Sequence, residues 1–595
     1  MQKITRLIIR NYRSCKDLDL QLDSFTPLVG QNNAGKSTIL NAIRIILNPE
    51  KITLDDFHDS DNQLEIIARF VGVSDCLIEK IPEAKHRTAI KPYCPNGTLW
   101  IRVFADPQKK LQQEVWSYTS GVEIEDIPSE WSKYPTGLPQ AVKALFPEPI
   151  YIHAMKDLGK DLSSCTAGTT IKRLLEELAK PITETCKAEL GAALNTINTL
   201  LTGSEGNRAH EIDRFGSSAT QALSEFFPGL EIRLTLPEVQ LKEFFKSGAI
   251  DVKESSTGEW GDFRRLGSGA QRAIEIALLR VLAESGRSGD DDPSCILLLI
   301  DEPEMYLHPS GITKLRETLK RLAKLSGRFQ IVFSTHSPIM LCRESAAHTV
   351  RIHKPEKETK CHKPLVSAVQ SAIEGAPSQS RLLFEIGRLG EIYFSKKVVL
   401  CEGKTDDRLL PVAYEAYFER SSDSDGVAFL ALGGSGDSLK AKNILETMGI
   451  EVTCLCDFDF ALSDQASELG TSKIKAEFKP ILKKLSSSVG FQLNAQDFPQ
   501  KCSNWKVADI WHEAATSTDG IALAQKAHEQ CLAKGVWIWK TGTIEDVIGV
   551  SEKGEKAIIS HESELAKMTR SRIESEMPVL SEYFIWLSAV PVPDN

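Results

Sequence analysis

Gly30-Gln31-Asn32-Asn33-Ala34-Gly35-Lys36-Ser37 is a glycine-bounded loop ending in Lys-Ser, set between the apolar run Thr26-Pro27-Leu28-Val29 and an apolar-periodic segment from Ser37 to Leu47. Strand, loop and helix in that order form a phosphate cradle, because glycines let backbone N–H groups wrap the phosphates while a lysine reaches the outer ones. Gly30, Asn32, Asn33, Gly35, Lys36, Ser37 and Thr38 are the expected nucleotide contacts, with Ser37 ligating magnesium.

Further along, Ile296-Leu297-Leu298-Leu299-Ile300 is a five-residue apolar run that reads as a strand buried on both faces. It ends in Asp301-Glu302, and a carboxylate pair at the carboxyl edge of a parallel sheet lies where ligands bind. Asp301 is expected to hold the magnesium through its shell and Glu302 to orient the attacking water, since phosphoryl transfer needs mostly positioning and charge neutralisation. Leu266-Gly267-Ser268-Gly269-Ala270-Gln271 precedes a helix predicted from Ala270 to Glu284, so Ser268, Gly269 and Gln271 stand at an anion-binding helix start. Gln330 to His336 is another buried-strand pattern with a polar tip, and its position is what singles out His336. Arg272 and Arg13 read either as contacts to phosphate or base, or as solvated arginines.

The order of phosphate loop, Leu-Gly-Ser-Gly-Ala-Gln, Asp-Glu and strand-terminal histidine resembles an ABC-type ATPase. Asp301-Glu302-Pro303-Glu304, Leu307-His308-Pro309 and Ser334-Thr335-His336-Ser337-Pro338 are similar to the branch that includes chromosome-maintenance ATPases and the OLD (overcoming lysogenization defect) nucleases. The resemblance implies that Ser268 to Gln271 caps the nucleotide held by a second subunit, and that Glu302 and His336 serve hydrolysis there. The Gly-Ser order and Ala270 depart from the commoner Leu-Ser-Gly-Gly-Gln, which argues against transporter kinship.

The carboxyl-terminal third has a separate logic. Lys397 to Cys401 reads as a strand turned by Glu402-Gly403, with Asp406 on the first turn of the next helix pointing back at Glu402. A second strand, Val427 to Leu432, runs into Gly433-Gly434-Ser435-Gly436, whose Gly434 and Ser435 are placed to hold a phosphate. A third, Ile450 to Cys456, delivers Asp457-Phe458-Asp459; on an extended tip the two aspartates project to one side and Phe458 to the apolar face. Grouped carboxylates repel unless a cation neutralises them, and all-oxygen ligands favour magnesium or manganese, with calcium a further option.

This β-α-β-α-β order resembles the Toprim domain of topoisomerases, primases and OLD nucleases. Gly542-Thr543-Ile544-Glu545, after the strand pattern Val536 to Trp539, is similar to a segment that OLD proteins add, which makes Glu545 a fifth ligand beside Glu402, Asp406, Asp457 and Asp459. The same pattern gives Lys540 the neutralisation of transition-state charge.

At 595 residues, a prior of roughly 150 per domain allows about four modules. Lys and Arg total 71 against 81 Asp and Glu, and a net charge of -10 excludes an all-over basic nucleic-acid binder. Lys473, Lys475, Lys479, Lys483 and Lys484 form either a local phosphate-contacting patch or a solvated amphipathic helix. Thirteen scattered cysteines, several within apolar strands, suit reduced thiols of a cytoplasmic protein, and Cys361-His362 lacks a partner pair at zinc-finger spacing. No signal peptide or membrane span is predicted.

The expected architecture is α/β: an ABC ATPase lobe with the phosphate-binding loop (1–165), a helical insertion (166–230), a second ATPase lobe (231–355), a linker (356–392) and a Toprim nuclease domain with a helical carboxyl-terminal part (393–595). Thr169 to Leu201 has the helical periodicity of the insertion, through Ile171, Leu174, Leu175, Leu178, Leu190, Ile197 and Leu200. Leu64 to Val122 reads as β-rich, and the stretch from Ser551 as helical and polar.

The function these readings imply is an ATP-binding, metal-dependent DNA endonuclease gated by an ABC-type homodimer. The resemblance adds anti-phage defence, alone or beside a helicase or a reverse transcriptase with its RNA–DNA product. The alternative is a nucleotide-controlled, DNA-sensing scaffold whose Toprim unit binds a partner. A strand-rejoining enzyme needs an active tyrosine domain, and nothing in the sequence singles out such a tyrosine.

Overall fold

The computed structural model describes residues 2–589 except 108–109, 118–125, 155–186, 203–209, 225–250, 254–257, 263–264, 286–293, 326–328, 343–344, 346, 356, 363, 365–388, 433–437, 501, 503–504, 541 and 550–554. The chain divides into two compact units. One comprises residues 1–3, 70–100 and 115–333, the other residues 4–69, 101–114 and 334–595.

In the first unit the continuous apolar run Ile296–Ile300 is a strand with all five side chains buried. It pairs in parallel with Phe329 to Phe333 on one side and with Ile150–Ile152 on the other, and the amide of Asp301 continues that pairing to the carbonyl of Ile152 at 2.8 Å. Helices Ser268–Ser285 and Pro309–Leu325 pack on each other. The segment expected to be β-rich from Leu64 is interrupted by helices Asp75–Glu79 and Ala84–Ile90. His86 and Ile90, four apart, bury one face of the second of these. Of the expected helical insertion, Lys187–Thr202 and His210–Ser224 are helices; Ile171, Leu174, Leu175 and Leu178 lie outside the described residues.

In the second unit Lys3–Tyr12 and Cys15–Gln21 form an antiparallel hairpin. Phe25–Val29 pairs in parallel with Val350–His353, which takes Lys360–Cys361 as an antiparallel neighbour. That last strand falls in the segment read as linker, most of which lies outside the described residues.

The remainder of this unit is built on a four-stranded all-parallel sheet in the order Val427–Ala431, Lys397–Cys401, Glu451–Cys456, Val536–Ile538. Strand periodicity sends Val398, Leu400, Cys454 and Cys456 into one core with Phe458 and Trp511, and Val399, Cys401, Leu455 and Trp537 into the other with Tyr583 and Phe584. Both faces are covered, which is why these strands are mainly apolar. The carboxyl-terminal stretch read as polar contributes Ile573, Leu580, Tyr583, Phe584 and Leu587 to the second core, so its polar residues are only the outer stripe of amphipathic helices. Lys397, 2% exposed, ties the sheet to this layer by donating to the Leu587 carbonyl at 2.9 Å and pairing with Glu451 at 2.9 Å. Among the described residues no helix is long and apolar enough to cross a membrane.

Candidate metal centre and nucleotide loop

Sheet order places the carboxylates. The chain passes from Lys397–Cys401 to a neighbour on one side and then crosses to Glu451–Cys456 on the other. The carboxyl ends of the first and third strands therefore flank a topological switch point, where open parallel sheets take their ligands. Glu402 and Asp457 are the first residues beyond those two strands, and Glu402 Oε2 accepts a hydrogen bond from the Asp457 amide at 3.2 Å.

Asp406, buried at 6% exposure, sits in the first turn of helix Lys404–Phe418. Its Oδ2 accepts from the Gly403 amide at 3.0 Å, so it turns back on the Glu402-Gly403 corner. Burial raises its carboxyl to about 7, with Glu545 and Glu402 adding repulsion. Asp457 is pushed up to about 9, by burial first and then by Glu402, Asp406, Asp459 and Glu545. Asp459 is raised too, by burial and by Glu402. Glu545 lies in the first turn of helix Ile544–Ile548, whose Thr543 is capped by Asp546 at 2.8 Å. Gly542 before it holds φ +126°, and a Cβ there would meet Asp546 Oδ2 at 2.2 Å.

The expected geometry of Asp457 and Asp459 is corrected in one respect. Asp457 is the residue preceding a short helix, Phe458–Ala461, and Asp459 lies in its first turn. The strand ends at Cys456, so helix-start geometry, not strand alternation, sets the Asp459 carboxylate near its own and the Phe460 amide. Phe458 is buried in the core as expected. Gly434 and Ser435 lie outside the described residues.

Five carboxylates thus share one electrostatic field, although among the described residues no three His, Cys, Asp or Glu side chains are drawn close enough to hold an ion as they stand. Any two of them that are ionised repel each other. An all-oxygen set whose members raise one another's pKa fits a hard divalent cation, which would remove that repulsion. Lys540 Nζ lies 3.4 Å from Glu582.

The nucleotide loop has the conformation its glycines permit. Gly30 presses on Ile352, whose carbonyl oxygen would lie 2.0 Å from any Cβ; Gly35, at φ +105°, opens helix Lys36–Leu47 and lies against Thr359, whose Oγ1 would stand 2.4 Å from a Cβ. Thr359 also donates to the Ala34 carbonyl at 3.0 Å. Lys36 Nζ donates to the carbonyls of Gly30 at 3.0 Å and Gln31 at 2.8 Å and lies 2.8 Å from His336 Nε2. Asn32, Asn33 and Ser37 are exposed and Thr38 is half-buried.

In the other unit, Ser268 and Gly269 begin helix Ser268–Ser285, Gln271 Nε2 donates to the Leu266 carbonyl at 2.7 Å, and a Cβ on Gly269 would meet the Tyr306 carbonyl at 2.8 Å. Arg272 is buried, not solvated. At 2% exposure it donates to the carbonyls of Asp301 (3.3 Å), Glu302 (3.2 Å) and Pro303 (3.2 Å), clamping the acidic strand tip. Glu302 itself holds φ +47°, a left-handed backbone that a non-glycine residue adopts only under constraint. Arg13 pairs with Asp56 at 2.9 Å and stacks over Tyr12.

The lysine patch is largely neutralised within the fold. Lys475 pairs with Asp464 at 2.7 Å, Lys483 with Asp497 at 2.9 Å and Lys484 with Asp519 at 3.2 Å, while Lys475 and Lys479 lie over the Phe498 ring.

Family models match residues 2–341 as an AAA ATPase domain and residues 393–459 as the TOPRIM domain of overcoming-lysogenization-defect-like proteins. The chain is 30% identical to the Old nuclease of Escherichia phage P2 over 93% of its own length and 94% of that protein's. It is 23% identical to the OLD nuclease of Thermus scotoductus, over 80% of this chain and 86% of that one. With the endonuclease GajA of Bacillus cereus it shares 24% identity over 73% of this chain and 71% of its relative.

Proposed function

The chain belongs to the overcoming-lysogenization-defect nuclease family, and from that premise we propose that it is a metal-dependent DNA endonuclease whose cleavage is gated by nucleotide at an ABC-type homodimer, serving anti-phage defence. The observation that carries the reading is the convergence of Glu402 on Asp457, at the switch point of a parallel sheet, with Asp406, Asp459 and Glu545 in the same field.

Glu402, Asp406, Asp457, Asp459 and Glu545 would hold divalent metal, magnesium or manganese. Bound there, the cations supply a lowered water pKa and charge stabilisation of the departing oxygen. The chain's own contribution is to hold the carboxylates together against their repulsion: the Asp457 amide steadies Glu402, and the Gly403 amide steadies Asp406. Lys540, drawn from Glu582, is the positive charge assigned to the phosphodiester.

On the ATPase side, Lys36, Ser37 and the loop amides would hold the phosphates and their magnesium; Asp301 and Glu302 are the carboxylates assigned to magnesium and to water. Ser268, Gly269 and Gln271 of one copy would cap the nucleotide of the other, and His336 would serve hydrolysis. Ile197, Leu200 and Phe215 expose apolar side chains at 44%, 49% and 55% on the two described helices of the insertion, which suits a dimer contact.

The test is incubation of the full-length protein with supercoiled plasmid, with magnesium, manganese or chelator, and with or without ATP. Relaxed or linear product that requires divalent metal, at a rate ATP changes, is expected. Intact plasmid under every condition would leave the scaffold reading in its place.

A further inference from the structure

One arginine holds the base of both strands that carry the leading metal carboxylates. Arg351 lies on the strand Val350–His353, in parallel register with Val29, the residue immediately before the nucleotide loop. Its guanidinium donates through Nη1 to the Gly449 carbonyl and through Nη2 to the Ser395 carbonyl at 3.0 Å. Ser395 lies two residues before Lys397–Cys401, and Gly449 two residues before Glu451–Cys456. The far ends of these strands carry Glu402 and Asp457.

The two strands are paired along their length, Lys397 against Glu451 through Cys401 against Leu455. A displacement at their bases is therefore carried about 17 Å to the carboxylates by near-rigid elements, five residues at about 3.3 Å each. The other end of the lever is as tight. Gly30 abuts the Ile352 carbonyl, so the loop backbone cannot shift outward without moving the residue next to Arg351. His362 seals the joint: its amide donates to the Arg351 carbonyl at 3.1 Å, its ring stacks on His353, and only a glycine fits at 449, where a Cβ would meet the ring at 2.0 Å. The joint borders a cavity of about 790 Å³ whose lining includes Gln31, Asn32, Lys396 and Glu446.

We propose that Arg351 is the positioning residue through which the nucleotide loop sets the spacing of Glu402 and Asp457. The inference rests on the nucleotide-gated reading above. The requirement is for a fork as well as a charge. A guanidinium donates to two carbonyls in a fixed plane, whereas an ammonium at the same place is a single flexible point. Arg351→Lys therefore keeps the charge and loses the simultaneous grip.

The experiment measures plasmid cleavage by the full-length protein in divalent metal with and without ATP, alongside kcat and KM for ATP hydrolysis. In the wild type nucleotide is expected to change cleavage by about fivefold or more, the usual size of a coupling between sites. In Arg351→Lys that ratio is expected to collapse towards one, while ATP hydrolysis and nucleotide-free cleavage stay within about twofold of wild type, since neither site loses a contacting group. His362→Ala loosens the same joint without touching the guanidinium, and a ratio between the two is expected. An Arg351→Lys protein with the wild-type ratio overturns the inference, as does a parallel loss of cleavage and ATP hydrolysis, which marks a merely structural arginine. Should Arg351→Lys fail to fold, an unchanged ratio in His362→Ala overturns it equally. A wild type whose cleavage ignores nucleotide instead removes the gating reading itself.

Discussion

Lys36 Nζ lies 2.8 Å from His336 Nε2 while donating to the carbonyls of Gly30 and Gln31. The loop lysine is thus engaged by its own loop and by the histidine at the tip of a strand 300 residues away in sequence. A phosphate entering the loop would compete with these partners for the Lys36 ammonium.

Removing the ammonium leaves the loop without its reach to the outer phosphates. Lys36→Ala is expected to weaken ATP binding by about tenfold to a hundredfold, the worth of one or two charge-assisted hydrogen bonds, and to abolish measurable hydrolysis. Nucleotide-free cleavage should persist. Fluorescent-nucleotide titration and phosphate release check the first part, and wild-type affinity in the variant contradicts the assignment.

The complementary variant is Asp457→Ala. Cleavage is expected to fall by at least about a hundredfold, as loss of a metal-positioning carboxylate does, with ATP hydrolysis intact. If Asp457→Ala cut plasmid at the wild-type rate in magnesium or manganese, these carboxylates would not be the metal site.

Asp457 and Asp406, raised to about 9 and about 7, hold protons in the metal-free fold that the unfolded chain releases near pH 4. Both folded-state values lie above the unfolded ones, so this pair favours folding at low pH and its contribution is lost as pH rises from about 4 towards 9. Metal must expel those protons. Uptake at pH 7 should release about one to two protons per chain, and apparent affinity should climb with pH. Calorimetry in two buffers of different protonation enthalpy measures the number; no release contradicts the arrangement.

Arg272 is the third target. Truncation to alanine removes a donor from three carbonyls, one in a buried and two in part-buried bonds, and should cost roughly 2–4 kcal/mol, lowering Tm and slowing ATP hydrolysis because the Asp301-Glu302 tip loses its clamp. Nucleotide-free cleavage is the control. A variant as stable as wild type would show that the clamp is dispensable.

Much of this was legible from local pattern. Continuous apolar runs at Ile296–Ile300 and Val398–Cys401 announce strands covered on both faces, and the polar residues that stop them mark the ligand edge of each sheet. Other features were not, each for its own reason. Asp459 looked like a strand residue because Asp-x-Asp has the same spacing in either conformation, and only the helix turn at Phe458–Ala461 decides between them. Arg272 reads equally as a phosphate contact or a solvated arginine, because its carbonyl partners lie about thirty residues on, beyond any periodicity. Arg351 carries no signal at all: its importance exists only once Gly449 and Ser395, 98 and 44 residues away, are brought under its guanidinium. The carboxyl-terminal helices hid their core contribution because an amphipathic segment shows most of its letters to water.

Thr359 bonds to Ala34 and to Ser14 and lies flush against Gly35. A fragment ending at residue 341, where the match to the ATPase family stops, would lack the underside of its own phosphate cradle. The catalytic module for ATP is in this sense longer than its homology, and dissection of the two activities is better done by point substitution than by scissors.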